Sequence, residues 1–313
     1  MNVSHNRKLG FTLTELIITI SILLLLAALV IPSVRTISKS RQAREAARYV
    51  GTAFTAARSQ ALIDGSSGVW IERHGNIDNA STRIFQVKTP PPFSGYGSDD
   101  VAEIMSATAT SGTATIPVVN TGTDRLVNVN DFIQFNNRGP KFRITSVTPA
   151  GLDTVVTFDI QESDPVLPVL EVPFKVFRRP VRIASTLTEL PRGFIIDLEL
   201  SGHGAENSQF DFSGSVDPIV VTFNENGEVD LIFEGGIENT AGVTSPAGTL
   251  FLMVTEFKVD GSLNLNDRNG LWVTVNRNNG MTSIGSMADP TVGTLSQLGN
   301  ARSLASTGVS ANQ

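Results

Sequence analysis

One carboxylate, that of Glu15, lies inside an apolar stretch at residues 11–31 that carries no other formal charge. This stretch matches the roughly 20 apolar residues that a helix needs to cross a bilayer. An acid costs about 2.5 to 3.5 kcal/mol near the centre of such a helix, and less near an end, so acids in membranes usually have a cationic partner. Glu15 has no obvious partner in the uncut chain, and it follows Gly10 by five residues.

The other side chains that could do chemistry form no catalytic or metal-binding motif. The chain has no Cys, which excludes disulfides, thiol catalysis and Cys-ligated metal sites. His5 lies near the start, while His74 and His203 each stand beside a glycine in a predicted loop. A lone loop His is more often an exposed polar residue than a base or a ligand. No nucleophile elbow, phosphate loop or HExxH sequence is present, so we predict no enzyme activity and no cofactor.

Two acidic or polar features give weaker signals. Residues 264–270 (NLNDRNG) superficially suggest a calcium loop, but they lack the alternating acidic ligands and the distal Glu of that motif, so we interpret them as a polar turn. Spacing alone does not define an acid–base pair among the carboxylates that could form an acidic surface, which are Asp99, Asp100, Asp153, Asp159, Glu162 and Asp164. The sequence therefore predicts no metal site.

The residues around Glu15 resemble the processing motif of type IV prepilins and type II secretion pseudopilins. The resemblance rests on residues 8–16 (KLGFTLTEL), with a short basic leader before them and a long apolar helix after them. It implies that the prepilin peptidase cuts after Gly10 and methylates the new amino group of Phe11. Glu15 is then the fifth residue of the mature chain, and in the family this acid is thought to pair with the terminal amine of a neighbouring subunit. Pro32 matches a position where family helices are commonly kinked.

The same resemblance implies a location and a set of partners. A single-pass helix in the bacterial inner membrane would hold a β domain in the periplasm, and the subunit would then enter a pilus or pseudopilus filament. The implied partners are the prepilin peptidase, other pilin or pseudopilin subunits, an inner-membrane assembly platform and membrane lipid. Charge pairing within a filament would offset part of the desolvation penalty of both groups and set the axial register between subunits.

Two other interpretations of the N-terminal segment compete with prepilin processing. A secretory signal has an apolar core of roughly 7 to 15 residues and a small-residue cleavage site, whereas this core is longer and Ala27-Ala28 precedes Leu-Val-Ile. A plain anchor fits the length but gains nothing from Glu15. Basic residues at positions 35–48 follow the apolar stretch, so the positive-inside rule does not favour the expected orientation. We give the prepilin processing motif at residues 8–16 more weight than this distribution of basic residues.

Periodicity in the rest of the chain predicts an α+β fold. Apolar residues recur at spacings of three and four from Pro32 to Gly65, which predicts an amphipathic helix at 33–63 that continues a transmembrane part at 11–31. Beyond Gly65, period-two runs and turn signals predict a mostly antiparallel β domain. The strand-like runs of that domain are residues 69–71, 83–87, 194–198, 219–223, 250–254 and 271–275.

The predicted domains are a leader at 1–10, a helix at 11–64, a pilin-like β domain at 65–284 and a flexible tail at 285–313. An inserted, barrel-like β-rich subdomain is expected at about 93–180, with strands at 125–129, 132–135, 141–147 and 154–158. Residues 105–115, rich in Ser, Ala, Thr and Gly, are expected to form a surface loop. Insertions on a rigid scaffold commonly carry recognition, although a purely structural elaboration is an equally open alternative.

Four stretches of the β domain also resemble one branch of the pilin family, the H-type minor pseudopilins and related minor pilins (GspH/FimT). These stretches occur in the order expected for that branch. They are ARSQALIDGSSGVWIE at 57–72, LPRGFIIDL at 190–198, IVVTFNENGEV at 219–229 and WVTVNRNNGMTSI at 272–284.

The charge distribution argues against a nucleic-acid partner. The first 64 residues are net positive although the whole chain has a net charge of −6, so the β domain is acidic. Phosphate binding needs an exposed cationic patch. The only dense basic run in the β domain is RRPVR at 178–182, which we interpret as a solvated strand end.

Two functions remain open from the sequence. The first is a minor pilin or pseudopilin subunit of a type II secretion pseudopilus or a type IV pilus. The second is a membrane-anchored envelope binding module, in which the helix delivers the inserted region to a glycan or protein ligand. The two roles can coexist, because a subunit at a filament tip can both initiate assembly and bind. An anchored enzyme has no sequence feature in its support.

Overall fold

The computed structural model shows one long helix followed by a mostly antiparallel β domain, which confirms the α+β class. Side chains are not described at residues 29–37 and 286. The residues that the structure describes are 12–74, 79–121, 125–161, 164, 167, 169–204, 209–210, 217–237, 242–257, 270–286 and 298–307.

The long helix, α1, comprises the 52 residues Leu13–Asp64 and is roughly 78 Å long at 1.5 Å per residue. It ends at Gly65, whose φ of 84° is a left-handed conformation that glycine adopts without a Cβ clash. The Gly65 N–H donates to the Ala61 carbonyl at 2.8 Å. The helix is continuous through Pro32, and the kink expected there stays a prediction.

The strands and a second helix follow α1 in chain order. Among the described residues, the strand pairings are antiparallel, as the dense turn signals predict. The elements are β1 Ser66–Glu72, β2 Ala80–Ser81, β3 Arg83–Lys88, β4 Ala102–Ala107, β5 Ser111–Ile116, β6 Phe132–Phe135, β7 Phe142–Ala150, β8 Asp153–Asp159, β9 Glu171–Val172, β10 Phe174–Phe177, β11 Val181–Arg182, β12 Thr188–Glu189, β13 Phe194–His203, β14 Ile219–Asn224, β15 Val229–Phe233, β16 Val243–Thr244, β17 Leu250–Glu256, β18 Leu271–Val275, β19 Thr282–Ser286 and α2 Leu298–Thr307, with a 3-10 turn at Ala184–Thr186.

Two sheets form the body of the domain and pack against α1. The first body sheet has the strand order β11-β3-β1-β14-β15-β16, with β12 also paired to β3, and the second has the order β19-β18-β17-β13-β2. Small residues such as Ala46, Ala57 and Ala61 line the buried face of α1 and let the sheets approach closely. Phe54 is the largest side chain on this face, and its ring meets that of Phe223 edge to face at 6.3 Å between centroids.

The third sheet, which we call the insertion sheet, is built only from strands between Ala102 and Phe177. Its order is β10-β6-β7-β8-β5-β4-β9, and it has a hydrophobic core of its own. The rings of Phe135, Phe142 and Phe158 meet there with centroids 5.3 to 5.9 Å apart. Val181 pairs with Lys88, so the chain leaves and re-enters the body at one place on the first body sheet. The insertion sheet lies within the predicted insertion at 93–180.

The strand predictions are confirmed at 69–71, 83–87, 132–135, 154–158, 194–198, 219–223, 250–254 and 271–275, and at 142–147 of the predicted run 141–147. The strand predicted at 125–129 is wrong. Residues 128–131 form a turn instead, in which Asn130 has a φ of 68° and Asp131 accepts a hydrogen bond from the Asn128 N–H at 2.7 Å.

The surface loop predicted at 105–115 is also wrong, because these residues belong largely to β4 and β5. Side chains of β5 alternate between partly exposed and buried, which is the pattern of a strand with one covered face. Gly112 has a specific packing role, since a Cβ atom at that position would collide with the ring of Phe158. Small residues here admit a large ring from a neighbouring strand.

The tail expected to be flexible from residue 285 contains α2, so that expectation does not hold for residues 298–307. Leu298, Ala301 and Ala305 are buried in a cluster with Phe251 and Trp272. Arg302 is 0% exposed, and its guanidinium donates to the Leu200 carbonyl at 2.8 Å. The helix is therefore anchored by apolar contacts and by a buried cation that has backbone acceptors.

No helix within the described part of the chain is long and apolar enough to cross a membrane. Phe11 and the side chains from residue 29 onward in the predicted span of 11–31 lie outside the described residues.

Candidate functional site

The first candidate site is the N-terminal end of α1, where Glu15 takes part in a capping box. The Thr12 hydroxyl oxygen accepts a hydrogen bond from the Glu15 N–H at 3.3 Å. In return, the Glu15 carboxylate accepts the Thr12 N–H at 3.2 Å and the Thr12 hydroxyl at 3.0 Å. Two backbone donors of the first turn are thereby satisfied.

This geometry gives Glu15 a neutral hydrogen-bond partner, Thr12, in addition to the cationic partner that the sequence analysis expects after cleavage. The signal was present in the sequence, because Thr12 and Glu15 have the T-x-x-E spacing of a capping box ahead of an apolar run. Gly10 and Phe11, the predicted cleavage and methylation residues, lie outside the described residues. The expected pairing of Glu15 with a neighbouring subunit stays a prediction.

The surface of α1 at residues 16–26 is apolar around the helix, apart from the hydroxyl groups of Thr19 and Ser21. Hydroxyl groups there bond to the helix itself, with Thr19 donating to the Glu15 carbonyl at 2.7 Å and Ser21 to the Ile17 carbonyl at 2.8 Å. A helix that is hydrophobic all round is normally buried by its surroundings. The side chains that are at least half exposed are Leu13, Leu16, Ile17, Ile18, Ile20, Ile22, Leu23, Leu24, Leu25 and Leu26.

The second half of α1 is fixed to the body by polar contacts around its apolar face. Lys39 forms an ion pair with Glu256 at 2.8 Å, and Gln86 donates to the Ala53 carbonyl at 2.9 Å. Thr55 and Thr282 share a hydrogen bond at 2.9 Å. The body therefore holds residues from 39 to 64, while the described apolar residues 13–26 extend beyond these contacts.

The second candidate site is a cleft of about 620 Å³ between the insertion sheet and the first body sheet, which we call the insertion cleft. Asp131 joins two of the segments that border it. One carboxylate oxygen of Asp131 accepts the Arg179 N–H at 2.7 Å, and the other accepts the Asn128 N–H at 2.7 Å. Burial raises the pKa of Asp131 to about 6, although both hydrogen bonds and the nearby Arg178 favour the ionised form.

Asn130 connects the insertion to the body at the same place. Its amide nitrogen donates to the Ile237 carbonyl at 3.0 Å, while its side-chain oxygen is buried and has no hydrogen-bond partner among the described residues. The residues around the cleft are thus held by long-range hydrogen bonds between segments that are far apart in the sequence. No sequence motif signals these contacts.

The basic run at 178–182 is not simply a solvated strand end. The Arg178 guanidinium donates twice to the Pro91 carbonyl, at 3.0 and 3.1 Å. Arg182 pairs with Glu72 at 2.8 Å, and its guanidinium carbon lies 4.7 Å from the centroid of the Phe85 ring. Arg178 thus binds the segment that connects the body to the insertion, and Arg182 binds neighbouring strands within the first body sheet.

His74 and His203 show no catalytic arrangement in the described part of the chain, and the loop predicted at His203 is wrong because His203 is the last residue of β13. The His203 Nδ1 atom accepts the Ala247 N–H at 3.1 Å, and its Nε2 atom lies 3.7 Å from a Glu234 oxygen. Burial, with a smaller contribution from Arg302, lowers the pKa of His203. The His74 N–H donates to the Ala80 carbonyl at 2.8 Å. Both residues therefore contribute to local structure.

The predicted acidic surface is dispersed among local contacts. Asp100 accepts the backbone N–H groups of Tyr96 and Gly97, and Asp159 pairs with Arg143 at 2.8 Å. Glu162 and residues 264–269 of the calcium-like stretch lie outside the described residues. Within the described ranges, no group of three or more His, Asp or Glu side chains is placed to hold a metal ion.

Comparison with known families matches residues 5–31 to the prokaryotic N-terminal methylation motif. No curated protein and no solved structure matches the chain. The motif supports a type IV pilin-like precursor subunit, and it implies processing by prepilin peptidase and assembly with other pilin subunits. Pilin-like structural subunits are not an enzyme family.

Proposed function

We propose that this chain is a minor pilin or pseudopilin subunit, cut after Gly10, methylated at Phe11 and assembled into a type II secretion pseudopilus or a type IV pilus. One observation carries the proposal. A prokaryotic N-terminal methylation motif stands at the head of a 52-residue helix whose residues 13–26 expose mainly apolar side chains and whose buried residues from Ala43 to Ala61 pack on a β domain. This arrangement suits a subunit that is stored in the inner membrane, with its β domain in the periplasm.

The exposed leucine and isoleucine side chains support both lipid contact before assembly and helix contact within a filament. Exposed apolar patches on soluble monomers seldom exceed a few hundred Å², so we expect another apolar surface to bury the leucine and isoleucine side chains of residues 13–26. Lipid chains would bury these side chains before assembly, and the helices of neighbouring subunits would bury them afterwards. The inner-membrane assembly platform would transfer the subunit between these two environments.

Glu15 has two roles in this proposal. In the uncut chain its carboxylate caps the first turn of α1 through Thr12. Cleavage after Gly10 creates the α-amino group of Phe11, which gives a neighbouring Glu15 a cationic partner in a low-dielectric bundle. The large insertion argues against a densely packed major subunit, and the order of the β stretches favours the GspH/FimT branch.

Variants of Glu15 and Thr12 separate the charge of the acid from its capping role. Glu15→Gln keeps an oxygen that accepts the Thr12 N–H, as glutamine does in natural capping boxes, but removes the negative charge. Glu15→Ala removes both, and Thr12→Ala removes only the capping hydroxyl. All three variants are expected to remain in the membrane fraction, because the apolar surface is unchanged.

The measurement is the fraction of each variant recovered with sheared filaments from its native host. We expect Glu15→Gln and Glu15→Ala to be recovered poorly, and Thr12→Ala to be recovered close to wild type. Wild-type recovery of Glu15→Gln would show that Glu15 acts only as a helix cap, and would refute the pairing role.

The second candidate function, an envelope binding module displayed by the helix, is favoured by the insertion cleft. It is compatible with the first, because a filament subunit can also bind a ligand.

A further inference from the structure

The insertion cleft has the size and position of a binding site. Its volume of about 620 Å³ lies within the range of roughly 300 to 1,000 Å³ that is typical of small-molecule sites. It opens where the insertion sheet meets the first body sheet, and sites occur preferentially at such junctions between structural units. Neither the N-terminal motif nor the assembly role of α1 accounts for it.

The walls of the cleft are held in place by buried polar groups. Asp131 is 0% exposed and joins the turn at 128–131 to the backbone of Arg179. Asn130, also 0% exposed, joins the same turn to the carbonyl of Ile237 in the body. A ligand would therefore enter a cleft whose two sides are already tied together, which lowers the entropy cost of binding.

The charges that border the cleft balance, so they favour neither a polyanion nor a polycation. A phosphate- or sulfate-rich ligand would need a net positive site, and a basic peptide would need a net negative one. The acidic groups are Asp64, Glu225 and Asp230, and the basic groups are Lys141, Arg178 and Arg179. The balance indicates a neutral ligand.

Two of these charged groups are available to such a ligand. No described residue donates a hydrogen bond to the Asp230 carboxylate, which reaches solvent at the cleft. Desolvation by the surrounding protein raises the pKa of Asp230, while Lys141 lowers it and Glu228 adds to the rise. The Lys141 ammonium lies 3.9 Å from the centroid of the Phe177 ring, which keeps this donor at the cleft.

Apolar surface accompanies the polar groups. Phe132 and Phe177 are partly exposed along the cleft, and Pro90, Pro91 and Pro92 border it from the connecting segment. A sugar ring has a face of C–H groups that packs on aromatic and proline surfaces, and a rim of hydroxyl groups that both donate and accept hydrogen bonds. A carboxylate acceptor and an ammonium donor beside aromatic rings match both parts of such a ligand.

We propose that the insertion cleft binds a short neutral glycan, one or two sugar units long, with Asp230 accepting from its hydroxyl groups and Lys141 donating to them. This proposal does not depend on filament assembly. A negative result in the test below would leave the role of α1 unaffected, and a failure of filament recovery would leave the cleft unaffected.

The test is a titration of the full-length protein with disaccharides, monitored by saturation-transfer NMR. The protein is kept in a detergent that has no sugar headgroup. The neutral probes are maltose, cellobiose and N,N′-diacetylchitobiose. A sulfated heparin disaccharide and a chitosan dimer are the anionic and cationic comparisons. We expect saturable binding of at least one neutral disaccharide, with weaker binding of both charged ones.

Variants locate the binding on the protein. Asp230→Asn removes a charged acceptor and is expected to raise the Kd about tenfold or more. Asp153→Asn, which changes an exposed acid at the start of β8 and outside the cleft, is the matched control and is expected to bind as wild type. If Asp230→Asn does not fold by circular dichroism, Lys141→Gln takes its place with the same expected loss, since Lys141 is exposed.

Three results would overturn the proposal. The first is the absence of saturable binding for all three neutral disaccharides. The second is tighter binding of the sulfated or the cationic probe than of any neutral one. The third is unchanged affinity for the neutral disaccharide in the folded cleft variant, which would place the binding elsewhere.

Discussion

Replacing Asp131 with asparagine should change how the stability of the insertion depends on pH. Asp131 is fully buried, and burial raises its pKa from an ordinary value of 3.8 to about 6. The folded protein therefore holds this proton more tightly than the unfolded chain does. Protonation contributes its full stabilisation below pH 3.8, and that contribution is lost as the pH rises through about 6.

The size of the effect follows from the shift. A difference of about two pKa units corresponds to about 3 kcal/mol at the acidic limit, and to about 1.3 kcal/mol between pH 7 and pH 5. Asp131→Asn removes this titration. It also leaves one of the two backbone N–H groups, of Asn128 or Arg179, facing an amide NH₂ group, which costs about 1 to 3 kcal/mol in a buried site.

The assay is hydrogen exchange with mass spectrometry on peptides from β6 to β8, corrected for the intrinsic effect of pH on exchange. Hydrogen exchange measures the free energy of opening, which we expect to be higher in wild type than in Asp131→Asn. This difference should grow by about 1.3 kcal/mol from pH 7 to pH 5, because only the wild type gains a proton. Asp153→Asn, at an exposed site on the same sheet, should show no such change. An equal gap at both pH values would refute the reasoning that burial controls this carboxyl group.

Two further substitutions test the packing that the sequence did not reveal. Gly112→Ala places a methyl group against the Phe158 ring and should destabilise the insertion by about 1 to 3 kcal/mol. Hydrogen exchange of β5 and β8 measures this effect, and unchanged protection would contradict the packing. Arg302→Ala removes the buried guanidinium that donates to the Leu200 carbonyl, so α2 should be cleaved by a protease faster than in wild type. Ser303→Ala, at an exposed neighbouring residue, is the control. Equal cleavage of the two variants would contradict the anchoring role of Arg302.

Local patterns in the sequence predicted most of the regular elements. The three- and four-residue spacing of apolar residues predicted the helical path to Asp64, and Gly65 marked its end because a left-handed residue was needed there. Runs rich in Val, Ile and Phe predicted the central strands, since each has a buried face. These signals are contained within a few residues, so they can be read without knowing the tertiary structure.

The errors arose where distant residues determine the local structure. Gly112 and its small neighbours form a strand because the Phe158 ring from β8 covers them, which composition alone does not reveal. The turn at Asn130 depends on Asp131 and its bond to Arg179, 48 residues further along the chain. α2 lies in a region without clear hydrophobic periodicity, and burial of Arg302 depends on carbonyl groups of β13 and the residue after it.

The two candidate sites also differ in whether local sequence or contacts between distant residues form them. The methylation motif at residues 5–31 is a property of a contiguous stretch, so the sequence could indicate it, together with the assembly role that we propose for Glu15. The insertion cleft is assembled from the connecting segments, the turn at 128–131 and strands of two sheets, so only its general location in the insertion could be anticipated.

The most direct test of the central claim is the intact mass of the protein isolated from its native membrane or filaments. We expect a chain that begins at Phe11 and carries one added methyl group, while a Gly10→Leu variant should keep residues 1–10. A native chain that retains residues 1–10, or one cut after the apolar stretch, would contradict processing as a pilin-like precursor.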